Sequence, residues 1–384
     1  MTKTPWRLVM VAILIVVVST QPVFLLGAAF LSIGPEFGFG ATGLGLITAS
    51  FFLAASLASP PFGRLVQRIG WRTAVRFNAV LSGVILVVIA LFAHSLVVFA
   101  ALIVAGGFVY GLANPAANLA LAEHVDPQRR AMTFGMKHAG IPGSTLIAGL
   151  AIPVVILNLG WRSAYALAAA LGGVVWALTR TETPQARPPS SDPGRRVEPM
   201  GTRLLIALAL GASMATWGAI ALSTYLVAAA VDRGLTEAAA GWLLFAGSTA
   251  SIVSRVGAGY LTDRVGGRGF AAMAMLTSVG VVVFLMFGVA TGMVFAVLVL
   301  IAFATGWGWP GLMTYTVVNA NAGTAARSSG ITQAGIFLGA GAGPIVLGLA
   351  ADRFGFDVIW ILAAFTLALA TAAFLTVGRF ATRA

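Results

Sequence analysis

A ten-residue phrase occurs twice in this chain: Gly63-Arg64-Leu65-Val66-Gln67-Arg68-Ile69-Gly70-Trp71-Arg72 and Gly259-Tyr260-Leu261-Thr262-Asp263-Arg264-Val265-Gly266-Gly267-Arg268. The copies start 196 positions apart, about half of the 384 residues. Each follows one long apolar stretch and precedes another. Each therefore reads as a short charged loop between two membrane-length helices, and the chain as a duplicated membrane bundle.

Composition supports this. Charged residues make up 9% of the chain, hydrophobic ones 59%, and mean hydropathy is +0.97, so most of the surface must face lipid. Crossing a hydrocarbon core of roughly 30 Å takes about 20 residues. Twelve such runs are expected, near 8–31, 42–62, 73–93, 96–120, 131–157, 161–180, 203–230, 238–262, 269–290, 293–319, 327–350 and 357–378. The Pro-, Ser- and charge-rich stretch from Thr181 to Gly201 reads as a linker between an N-terminal bundle (1–180) and a C-terminal one (202–384). Gly111 and Pro115 match Gly306 and Pro310, and Gly135 to Ile141 match Gly330 to Ile336, all displaced by 195. Six helices return the chain to its starting side, so the halves are parallel repeats about an axis along the membrane normal.

The net charge of +12 could suggest nucleic acid, but its distribution follows the positive-inside rule. Twenty basic residues fall on the side of the termini, and Arg162, Arg233 and Arg353 on the other. The expected partners are anionic lipid headgroups rather than nucleic acid. The chain has no cysteine, and no metal-ligand spacing, phosphate loop or nucleophile–base cluster, so neither an enzyme nor a cofactor is expected. Lys3, Arg7 and the apolar run after them read as a first transmembrane helix rather than a cleaved signal.

The repeated loop and the displaced correspondences make the whole chain resemble a major facilitator superfamily transporter. That resemblance implies an all-α membrane fold of twelve helices in two pseudo-symmetric six-helix bundles. The superfamily's loop signature is Gly-x-Leu-x-Asp-Arg-x-Gly-Arg-Arg. Here the second copy, with Asp263 and Arg264, is the better match; the first has Gln67 before Arg68 where an aspartate is usual. The resemblance implies that the loop carboxylate sits at a helix N-terminus of the opposite half and helps close the cytoplasmic side, which makes Gly63, Gln67, Arg68, Asp263 and Arg264 gating candidates. Replacing the charge by Gln67 weakens one latch by about 0.3–1 kcal/mol. The competing reading is a pair of tight turns with glycines at unusual backbone angles.

None of the eleven acidic residues falls near the middle of a span, which argues against a buried carboxylate as proton relay. Two cations do enter the membrane. Lys137 lies roughly 10 Å beyond Arg130, and Arg255 roughly 12 Å from Asp263, at 1.5 Å per residue. Lys137 shares a helical face with Gly140, Ser144 and Ala148, and Arg255 shares one with Ser248, Ser251 and Gly259, so both faces look protein-packed. Either side chain could instead snorkel to the headgroups. The pattern Ser254-Arg255-x-x-x-Gly259 is similar to helix eight of monocarboxylate and oxalate carriers, which implies an arginine that holds a carboxylate. Carriers of cyanate or nitrate are also compatible.

Tyr110, Asn114 and Asn118 recur every four residues as a polar stripe, for lining a cavity or for bonding between helices. His138 neighbours Lys137, about 100° further around the helix, and Gln333 occupies its repeat position. His138 is a candidate for a coupling proton or a packed neutral side chain. Trp217, Tyr225, Trp309 and Tyr315 are candidates for the cavity wall. The expected function is a secondary transporter of a small anion, monocarboxylate-like, using Lys137 and Arg255 in alternating access. The alternatives are an exporter of hydrophobic or drug-like compounds and a membrane sensor or scaffold without transport. A monomer in a bacterial inner membrane with both termini cytoplasmic completes the expectation.

Overall fold

In the computed structural model, residues 6–125, 130–180, 200–265, 269–321 and 325–381 are described. Most of the expected linker and the end of the second signature, Gly266 to Arg268, lie outside them, as do the side chains of Asp263 and Arg264. Among the described residues every regular element is helical. In chain order these are α1 (Trp6–Ala28), α2 (Phe30–Phe37), α3 (Ala41–Ile69), α4 (Trp71–Phe92), α5 (Leu96–His124), α6 (Arg130–His138), α7 (Gly140–Ala151), a π turn (Ile152–Ile156), α8 (Leu157–Leu159) and α9 (Trp161–Leu178). The second half has α10 (Thr202–Asp232), α11 (Glu237–Val265), α12 (Gly269–Phe287), α13 (Gly292–Gly306), α14 (Trp309–Ala320), α15 (Ala325–Phe354) and α16 (Asp357–Ala381).

These make twelve crossings, because α1–α2, α6–α8 and α13–α14 are interrupted single spans. Ten of them are long and apolar enough to cross a membrane by those criteria alone. The exceptions are α9 and α11. α11 is diluted by Ser248, Ser251, Ser254 and Arg255, of which Ser248, Ser251 and Arg255 are buried against protein while Trp242 and Val253 on the same helix are exposed.

Prolines set the interruptions of the fifth and tenth crossings. Pro310 has no N–H for the carbonyl of Gly306, and the Trp309 indole donates to that oxygen instead, at 2.9 Å. Pro142 likewise leaves the His138 carbonyl without its helical donor, and the helix is re-phased at Ala139 between α6 and α7. The signature glycine Gly70 takes φ 77° and Gly160 takes φ 79°, so one residue suffices to reverse the chain.

The halves meet along α3 with α15, α7 with α11, and α1 with α10. The repeat extends to the face opposite the termini. There Arg162, at the start of α9, binds Glu36 at 2.6 Å, while Arg233, at the end of α10, binds Asp357 at the start of α16. Both bridges join the first crossing of a half to its last, with the charges exchanged.

Candidate functional site

The two intramembrane cations lie inside the protein, on opposite halves. Lys137 is 3% exposed and Arg255 2%, so neither snorkels. The small neighbours on their helical faces, Gly140, Ser144 and Ala148 on one and Ser248, Ser251 and Gly259 on the other, are buried as well. The helices that carry them pack closely at Gly135. A Cβ there would come within 3.2 Å of the Arg255 carbonyl, and one at Gly311 within 3.2 Å of the Gly135 Cα. The backbones of α6, α11 and α14 therefore converge at one point.

Arg255 donates from Nη1 to the carbonyl oxygen of His138, the group that Pro142 leaves free. Its guanidinium lies 5.1 Å from the ring centroid of Trp307. Nε and Nη2, which form the opposite edge of the fork, are buried without a hydrogen-bond partner among the described residues. Lys137 donates from Nζ to Oδ1 of Asn114 at 2.6 Å, and Asn114 donates from Nδ2 to the Tyr110 hydroxyl at 3.1 Å. Tyr110 is held between halves, with its ring 5.7 Å from Phe51 and 6.5 Å from Phe337. The His138 ring nitrogen Nε2 pairs with the Thr314 hydroxyl of α14 at 3.2 Å.

The structure thus brings together Lys137, Asn114, Tyr110, His138 and Arg255. Asn118, one turn further along α5, is exposed, and Gln333 is half-buried on α15. The aromatic candidates divide differently from the expectation. Trp309 packs on Phe374 of α16, away from the cations. Tyr225 donates to the Pro344 carbonyl at 2.6 Å and belongs to the contact between α3, α10 and α15 at the far end. The ring beside Arg255 is Trp307, anchored by its indole N–H on Ser223 at 3.2 Å. Only its place in the break ahead of Pro310 could have marked it.

Of the gating candidates, Gly63 is half-buried while Gln67 and Arg68 are exposed. A carboxylate on an opposing helix N-terminus does occur, but at the far face. Asp352 of α15 accepts from the Ala41 N–H at 2.9 Å and the Thr42 N–H at 2.8 Å, capping α3 of the other half. Its surroundings, Gly348-x-x-x-Asp352-Arg353-x-Gly355, repeat the spacing of Gly259-x-x-x-Asp263-Arg264-x-Gly266, a signal that the sequence carries.

A duplicated helical bundle with polar side chains gathered between its halves is the architecture of a membrane solute transporter. The chain belongs to the Major Facilitator Superfamily, whose family model matches residues 12–331 and again 206–383. The proteins of that superfamily are transporters rather than enzymes. The chain is similar to human Monocarboxylate transporter 11, 25% identical over 78% of this chain and 63% of that protein, and to Probable anion transporter 6 of Oryza sativa subsp. japonica, 28% identical over 35% of this chain and 31% of that one. The chain thus spans less than two thirds of either relative. Among solved structures it resembles a bacterial homolog of the human lysosomal transporter Spinster, inward-facing and occupied, with TM-score 0.75 at 15% identity over 99% and 98% of the two chains. It also resembles the transporter FucP in the outward conformation, with TM-score 0.68 at 15% identity over 98% of each. At that identity the likeness is one of fold.

Proposed function

We propose that the protein carries a small anion, of the monocarboxylate type, between two sides of a membrane by rocking its halves about the central site. The observation that supports this is a pair of buried cations, one from each half, whose hydrogen-bond acceptors among the described residues are all neutral: an amide oxygen for Lys137 and a peptide carbonyl for Arg255. A charged side chain at mid-membrane costs about 2.5–3.5 kcal/mol even on insertion scales. An anion between the two offsets that cost, and the free Nε/Nη2 edge of Arg255 fits the two oxygens of a carboxylate. Bridging both halves, such a solute would couple its own binding to their movement. The names of the two relatives point to the same substrate class.

The basic residues at the terminal face favour an orientation with both termini cytoplasmic, and the richness in Ala, Gly and Arg over Lys favours a bacterial inner membrane. His138, on Thr314, is the candidate for a coupling proton. The test is uptake of radiolabelled pyruvate, oxalate and nitrate into proteoliposomes. At least one should enter saturably, and Arg255→Ala should reduce that flux more than tenfold. Flux of none of the three, or flux indifferent to Arg255→Ala, would overturn the reading. Internal acidification during uptake that persists in His138→Ala would remove the histidine from the mechanism.

A further inference from the structure

Away from the central site, α4 and α9 cross through small residues and leave on their outer side a groove of about 430 Å³. Val80, Val84 and Val87 of α4 form one wall, and Ala169, Gly173 and Trp176 of α9 the other. The three valines are 40–50% exposed. Both walls end in arginine at the same face of the membrane. Arg76 lies one turn before Val80, and Arg180 one turn after Trp176. Arg76 is fixed across the groove's end, donating from Nη2 to the Thr179 carbonyl at 2.6 Å and from Nε to the Thr179 hydroxyl at 3.2 Å. Arg180 is exposed and lies over the Trp176 ring, 3.6 Å from its centroid. Neither arginine has a carboxylate partner among the described residues.

The dimensions match one lipid leaflet. From Val87 to Arg76, and from Ala169 to Arg180, the walls run eleven residues, roughly 16 Å at 1.5 Å per residue. Half of a hydrocarbon core of roughly 30 Å is about the same. The groove therefore starts near the bilayer midplane and ends at the headgroups of the leaflet on the terminal face, where two cations stand.

We propose that this groove binds one anionic phospholipid, with an acyl chain along the valine wall and the headgroup phosphate between Arg76 and Arg180. A zwitterionic lipid fits the apolar slot equally well but brings its own cation to the arginines. A second copy of the chain seated here would oppose its own arginines to these, like charge against like. The site is independent of the transported solute.

The experiment adds 1-palmitoyl-2-oleoyl-phosphatidylglycerol or the phosphatidylcholine with the same chains to delipidated full-length protein and counts bound lipid by native mass spectrometry. Wild type should bind the first phosphatidylglycerol at least tenfold more tightly than phosphatidylcholine. Arg180→Gln should lower that affinity about fivefold, the factor that one cation near an anionic lipid surface is worth. Gly173→Leu should remove the first-bound lipid, since a Cβ at Gly173 meets nothing within 4 Å and the side chain fills the groove without repacking the helices. Arg203→Gln, exposed on the C-terminal half, should change nothing. Equal binding of the two lipids, retention of phosphatidylglycerol in Gly173→Leu, or a doubled mass in wild type that is lost in Gly173→Leu would each overturn the assignment.

Discussion

Lys137 and Asn114 form a 2.6 Å hydrogen bond between an ammonium group and a neutral amide oxygen, so the lysine is oriented but its charge is not cancelled. Asn114→Asp keeps the shape and supplies the missing charge. Hydrogen bonds to charged groups contribute about 1.5–3 kcal/mol, so an internal carboxylate should compete with a substrate anion by about 10- to 100-fold. We expect anion uptake to fall by that factor while the melting temperature of the empty protein rises. Unchanged uptake in Asn114→Asp would mean that Lys137 does not attract the solute.

Arg255 tests geometry rather than charge. Lysine preserves the cation but lacks the edge made by Nε and Nη2, and it cannot hold the His138 carbonyl with one nitrogen while offering two others to a ligand. Arg255→Lys should raise KM for a carboxylate about tenfold or more, with a smaller effect on a monatomic anion such as chloride. Equal losses for both would show that only the charge matters.

The arginine's position follows from Pro142. With no N–H at residue 142, the His138 carbonyl is available to α11. Pro142→Ala returns a helical donor to that oxygen, which then competes with Nη1 of Arg255. The variant should fold, because alanine improves a helix interior, but it should bind anions several-fold more weakly. Affinity equal to wild type would show that the carbonyl is not what aims the arginine.

The bundle itself was legible because its signals are long-range and redundant: twelve apolar runs and a constant displacement between halves. The burial of Lys137 and Arg255 was also legible, since each shares a helical face with small residues. Their partners were not. The bond from Arg255 goes to a backbone carbonyl freed by a proline, which no residue type announces. Trp307 and Trp309 differ by two positions, about 200° around a helix, and the break between α13 and α14 decided which faces the arginine. The cap that Asp352 places on α3 depends on how the halves dock, and that is tertiary information.

The paired bridges at the far face give a pH prediction. The hydrogen bond from Arg162 is the main cause that holds the Glu36 carboxyl below its usual range. A carboxylate with a depressed folded-state pKa contributes stability that is complete above its unfolded pKa and is lost as pH falls through the folded one. Both partners are about a third exposed, so the contribution is about 0.2–1 kcal/mol. Wild type should therefore melt slightly above Glu36→Gln at pH 7, and the two curves should converge in acid. The double variant Glu36→Arg, Arg162→Glu should recover wild-type stability, since the other half already carries the reversed arrangement in Arg233 and Asp357. Failure of the reversal would show that the Trp161 indole, which donates to Glu36 at 2.8 Å, dominates the pairing.

Asp352 makes the far-face contact testable. Its two oxygens accept from the first two N–H groups of α3, which places a negative charge at the positive end of a helix belonging to the other half. Next to it, Tyr225 of α10 donates to the Ala41 carbonyl of α3 at 3.4 Å, so the cap is one of a few polar bonds among the described residues that hold the far ends of the halves together. Asp352→Asn loses the charge and turns one acceptor into a donor that faces an N–H. The loss is about 1–2 kcal/mol, which shifts the balance between closed and open far faces roughly 5- to 30-fold toward open. Spin labels at Leu159 and Thr236, exposed at that face on opposite halves, report the shift as growth of a longer-distance population. Gln67→Asp, at the opposite face, should not produce it. A distance distribution in Asp352→Asn identical to wild type would mean that the cap orders the end of α3 without holding the halves together.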